Sequence, residues 1–181
     1  MTQRFNTSDI VLTALMTSLV YIAGSIIKIP SLGGFVHIGD CMVFVSAFLL
    51  SPRKAAFASG VGMLLVDVLG GYMLWAPSTF IIKSVMALIA AQIIKQSLFG
   101  GYKVQLLAFG VAAIFMVIGY FIAGVIIASV LTGDVDSIMA GILFASRDIV
   151  PNIIQVITGI IIALPLCKLL SPIKNKHNNS L

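Results

Sequence analysis

The sequence predicts an all-α integral membrane protein with six transmembrane helices in one bundle. Three observations support this. Of 181 residues, 60% are apolar and only 9% are charged. Mean hydropathy is +1.14, too high for a soluble domain, which needs a polar surface around its core. Third, the apolar residues fall into six runs separated by polar or Gly/Pro breaks. Residues 1–181 read as a single membrane domain, with 171–181 as a polar cytoplasmic tail.

The first helix is expected over about 9–28. Arg4, the apolar run from Ile10 and Ala23-Gly24-Ser25 imitate a signal peptide, but a retained helix is the expectation. Its Ala14, Ser18, Tyr21 and Ser25 form a stripe of mostly small residues, which invites close packing by another helix of this chain or of a partner. The second helix, 38–51, is short for a span and is expected to be tilted or wrapped by its neighbours. The third, 54–72, follows Pro52 and carries Asp67 on one face with Gly60, Leu64 and Gly71. The fourth, 77–96, begins at Pro77. In the fifth, 104–131, Gly119, Ala123 and Gly124 point to tight packing. The sixth, 148–170, opens near Pro151 and contains Pro165, a position where a helix kinks. Pro30 and Pro172 also fall near span ends.

Orientation follows from the basic residues. With both termini in the cytoplasm, Arg4, Arg53, Lys54, Lys95, Lys103, Lys168, Lys174 and Lys176 lie inside, eight of the eleven. The outer connections are then Lys28–His37, Tyr72–Ser78 and Thr132–Asp148, the last carrying Asp134, Asp136 and Asp148. They gather Phe35, His37, Tyr72, Trp75 and Arg147, so a small-molecule site opening outward is expected.

A charge at the centre of a bilayer costs about 3 kcal/mol or more, so Asp40, Asp67 and Lys83 within apolar runs need partners or a ligand. His37 and Asp40 are three apart and share a face: a polar pair at a pocket rim, or a helix cap paired with Lys28. Trp75, Thr79 and Lys83 follow at helical spacing. Lysine, hydroxyl and indole suit a polar heterocycle, or Lys83 only neutralises Asp40 or Asp67. Asn152 and Gln155 share a face of the last helix, as ligand contacts or as amides joining helices. Asp67, beside glycines, reads as a structural partner.

Several classes are excluded or disfavoured. All six acidic residues are aspartates, which removes HExxH metalloproteases and sites built on glutamate. The net charge of +5 lies at span ends, a topology signal rather than a nucleic-acid surface. Cys41 and Cys167 are far apart with no CxxC and read as packing residues, so neither a metal nor a cofactor is expected. No nucleophile elbow accompanies His37 or His177, so an enzyme is not expected. The remaining alternative is a self-contained small-molecule channel or secondary transporter, although no filter-like sequence or internal repeat is present.

Three runs in order resemble the substrate-binding S component of energy-coupling factor (ECF) vitamin transporters. They are Val36-His37-Ile38-Gly39-Asp40, Trp75-Ala76-Pro77-Ser78-Thr79 with Lys83, and Pro151-Asn152-Ile153-Ile154-Gln155. The resemblance covers nearly the whole chain and looks closest to the pyridoxine or hydroxymethylpyrimidine branch. It implies vitamin capture at the extracellular face of a bacterial cell membrane. Transfer then goes through a transmembrane coupling subunit driven by two ATPases. The implied contacts are His37, Asp40, Trp75, Thr79, Lys83, Asn152 and Gln155. The family's helix-one Ala-xxx-Ala docking motif is matched by Ala14, while Ser18 replaces the second alanine. There is no GxxxxGK[ST] loop, so ATP hydrolysis belongs to the partners.

Overall fold

The computed structural model describes residues 7–30, 35–97, 101–132 and 138–179. They form α1 (Thr7–Ile26), β1 (Lys28–Pro30), β2 (Phe35–His37), α2 (Asp40–Leu49), α3 (Pro52–Gly70), α4 (Ala76–Gln96), α5 (Tyr102–Thr132), α6 (Ile138–Ser146) and α7 (Ile149–Asn179). The two strands make an antiparallel hairpin in which Lys28 pairs with His37 and Ile29 with Val36. The bundle is helical as expected, and the first connection adds this short ribbon, too brief to leave an alternating pattern in the sequence.

Among the described residues, four stretches are long and apolar enough to cross a membrane: Thr7–Ile26, Ala76–Gln96, Tyr102–Ser129 and Ile138–Pro172. This is fewer than the six expected. The second helix has only 10 residues, and the third dilutes its apolar run with Arg53, Lys54, Ser59 and Asp67. Neighbours wrap α2 as anticipated, burying eight of its ten residues. The 131–148 connection contains α6, and α7 continues through Pro165 and Pro172 into the segment read as a tail. Asp134 and Asp136 lie outside the described residues.

Local chemistry sets the chain reversals. Ser51 is extended and Pro52 opens α3, where a missing N–H costs nothing. Gly71 closes α3 at φ 84°, a left-handed conformation that favours glycine. Its N–H donates to the Val68 carbonyl at 3.3 Å, and that of Tyr72 to the Asp67 carbonyl at 2.8 Å. The Trp75 N–H then bonds the Tyr72 carbonyl at 3.0 Å, and α4 runs back along α3. That reversal brings Asp67 and Thr79, twelve residues apart, onto facing helices.

The core surrounds α2. Phe44 packs its ring 4.5 Å from that of Phe109 on α5, with Met63, Met86 and Met116 fully buried around them. On α1, Val20 fits against Gly62 of α3, where a β-carbon would stand 2.7 Å from its Cγ1. The outer surface is apolar: Ile114, Ile118, Ile122 and Ile126 form an exposed stripe on α5, a face suited to lipid. At the end away from the hairpin, Lys54 and Asp9 pair at 2.6 Å and join the first turns of α3 and α1. There the Lys174 ammonium also lies 4.1 Å from the centre of the Phe48 ring.

Candidate functional site

At the hairpin end, strand β2 delivers His37, the turn places Gly39, and Asp40 begins α2. Gly39 is needed by close approach, since a β-carbon there would stand 2.9 Å from the Gly24 Cα of α1. A second glycine sets the other wall. A β-carbon on Gly159 of α7 would meet that of Asp40 at 2.8 Å. The α7 backbone therefore presses on the start of α2, and Gln155, one turn earlier, comes within reach of Asp40.

The consequence is a buried polar network. Lys83 donates to Asp40 Oδ1, and neither side chain has any exposed surface. The Gln155 Nε2 donates to Asp40 Oδ2 at 3.0 Å, and its Oε1 accepts the His37 backbone N–H at 3.1 Å. Both ends of that amide are committed, which fixes its orientation. The Gly39 N–H donates to His37 Nδ1 at 3.2 Å, so the neutral ring carries its proton on Nε2. Burial pulls the imidazole down to about 4, against the opposing pull of the Asp40 charge, so the ring is neutral at physiological pH.

A second group of side chains adjoins the first. The Lys83 ammonium sits 5.2 Å from the centre of the Tyr120 ring. The Tyr120 hydroxyl donates a long hydrogen bond, 3.3 Å, to Thr79 Oγ1. Thr79 in turn faces Asp67. The Trp75 ring lies 6.2 Å from that of Tyr120, tilted by 51°. Asp67 is buried, and its Oδ2 has no hydrogen-bond partner.

Six of the seven residues singled out from sequence thus meet: His37, Asp40, Trp75, Thr79, Lys83 and Gln155. Asn152 stands outside this network, half-buried nearer the start of α7. Of the two partners considered for Lys83, the structure selects Asp40 for the direct bond. Sequence reasoning missed Tyr120, whose signal was a hydroxyl-bearing ring in the middle of an apolar helix. It also missed Gly159, which carries no such signal, and it set Asp67 aside. Ala14 and Ser18 are exposed on the outward face of α1. The Ser18 hydroxyl donates to the Ala14 carbonyl at 3.0 Å, so serine leaves this face small with its proton satisfied internally. Cys41 and Cys167 are buried free thiols.

The chain is 34% identical over 136 residues to an uncharacterized protein encoded in a gap 3′ region of Pyrococcus woesei, covering 75% of this chain and 82% of that one. It is 27% identical over 171 residues to the thiamine precursor transporter HmpT of Lactococcus lactis subsp. cremoris (strain MG1363), covering 93% and 88% respectively. The profile of the ECF-type riboflavin transporter S component matches residues 4–172. A match of that extent, on a multi-pass apolar bundle, means that the chain belongs to the ECF-type riboflavin transporter S-component family, a family of transport components and not of enzymes.

Proposed function

We propose that this chain is the specificity subunit of an ECF-type importer. It binds a vitamin precursor, hydroxymethylpyrimidine or a pyridoxine-like ring, at the extracellular face. It delivers the ligand through a transmembrane coupling subunit driven by two ATPase subunits. The observation that carries this reading is the polar network buried at the hairpin end. Charged and amide groups at such depth in an apolar bundle support a ligand site there. The similarity to a thiamine precursor transporter over 93% of the chain favours a small pyrimidine. The family's description raises riboflavin as the competing ligand.

Orientation rests on charge. Arg53, Lys54, Lys95, Lys103 and Lys168 flank the end away from the hairpin, which is therefore the cytoplasmic side in this reading. The hairpin and site then face outward, both termini lie inside, and six helices traverse the membrane, with α2 and α3 held by their neighbours rather than by length and apolarity alone. The coupling subunit docks on the exposed stripe of α1 at Ala14 and Ser18.

The test is uptake of labelled hydroxymethylpyrimidine, pyridoxine and riboflavin by vesicles holding this chain with a coupling module. Uptake that requires both the module and ATP supports the proposal. Uptake by this chain alone, without ATP, means a self-contained carrier or channel instead.

A further inference from the structure

We propose that Asp67, together with Thr79 and Tyr120, forms the part of the site that recognises a ring amino group, and that the ligand is accordingly an aminopyrimidine. This inference rests on the vitamin-binding reading above and deepens it to a substrate class.

Most polar groups at this end of the bundle already satisfy one another, and one does not. Asp40 and Lys83 neutralise each other without any exposure. Gln155 is used at both ends, by Asp40 and by the His37 backbone. Those residues build the wall of the site and offer a ligand little that is free. Asp67 differs, being 5% exposed with an Oδ2 that has no partner. A buried acceptor left unmade is costly in a bundle this apolar, and a bound donor would relieve it.

The hydrogen-bond direction sharpens the chemistry. The Tyr120 hydroxyl gives its proton to Thr79 Oγ1, which leaves the threonine proton for the Asp67 side. The chain of donors ends at Asp67, so what it presents to a ligand is an acceptor. A ring bearing an exocyclic amino group satisfies it. A carboxylate or phosphate does not, because Lys83 is already bonded to Asp40 and the incoming anion would meet a carboxylate. The aromatic faces of Tyr120 and Trp75, 6.2 Å apart, supply the apolar contact that a flat heterocycle needs.

The experiment uses the detergent-purified full chain and calorimetric titration. Its fluorescence gives a second readout, since Trp75 is the single tryptophan. The probes are hydroxymethylpyrimidine, which carries the amino group, its deaminated oxo analogue, and pyridoxine. The wild-type chain should prefer the amino form by on the order of a hundredfold or more, because a site built to pair an N–H rejects the analogue lacking it. Asp67→Asn, which can donate as well as accept, should cut that preference to below about tenfold while leaving the melting profile monophasic. Equal wild-type affinity for the amino and oxo forms overturns the inference, as does tighter binding of pyridoxine than of either pyrimidine. An unchanged preference in Asp67→Asn also overturns it. The wild-type ratio decides the matter even if the variant does not fold. Each of these results leaves vitamin binding standing, whereas absence of binding to all three probes removes the proposed function itself.

Discussion

The buried pair of Lys83 and Asp40 offers a sharp energetic prediction. Replacing Lys83 with methionine keeps the length of the side chain and removes its charge. Asp40 is then left with no exposed surface, holding only the hydrogen bond from Gln155. Removing one partner of a buried ion pair costs about 3–5 kcal/mol, because the other charge stays buried without compensation. Asp40→Asn alone strands the ammonium and should cost a similar amount. The double variant Lys83→Met/Asp40→Asn leaves no charge behind, and a pair replaced by neutral groups of like volume is close to neutral in stability. It should therefore lie within about 2 kcal/mol of wild type, well above either single variant. Equilibrium unfolding of the four proteins in mixed micelles measures the cycle. If the double variant loses the sum of the two single losses, the residues are energetically independent and the account of this network is wrong.

Other consequences are as direct. Gly159→Ala places a β-carbon against that of Asp40, and the helix separation this forces should cost about 1–3 kcal/mol by the same unfolding assay. His37 has its folded value lowered from 6.5 to about 4 by burial, so its stabilising contribution is complete above pH 6.5 and is lost as pH falls towards 4. That loss is worth about 3 kcal/mol, and His37→Gln should flatten this part of the stability–pH curve. Ser18→Leu changes an exposed position on the small face of α1. Ligand affinity should stay within about twofold while vesicle uptake with the coupling module falls at least tenfold, and equal losses in both assays would place Ser18 elsewhere in the mechanism.

How much of this was legible in the sequence differs between residues for physical reasons. Lys83, Asp40 and Gln155 stood out because polar groups in hydrocarbon are expensive, so their mere presence signals use. Which acid takes the lysine was not legible. That depends on how α4 packs against both α2 and α3, an arrangement that no spacing along the chain reveals. Asp67 sits among glycines and was read as structural, yet its unpartnered oxygen distinguishes it only once α3 and α4 are seen side by side. Tyr120 was lost among the apolar residues of α5, since a hydroxyl matters only when a partner such as Thr79 is opposite. Helix starts at Pro52 and Pro77 were near their expected places, because proline fits the first turn. The short strands and α6 left too few residues for any period to register.

The central claim is that this chain alone captures a vitamin precursor. Calorimetric titration of the purified protein, without any coupling subunit or ATPase, tests it most directly. The account predicts saturable one-to-one binding of hydroxymethylpyrimidine. A folded, monodisperse wild-type protein that binds neither this ligand nor pyridoxine nor riboflavin would contradict it.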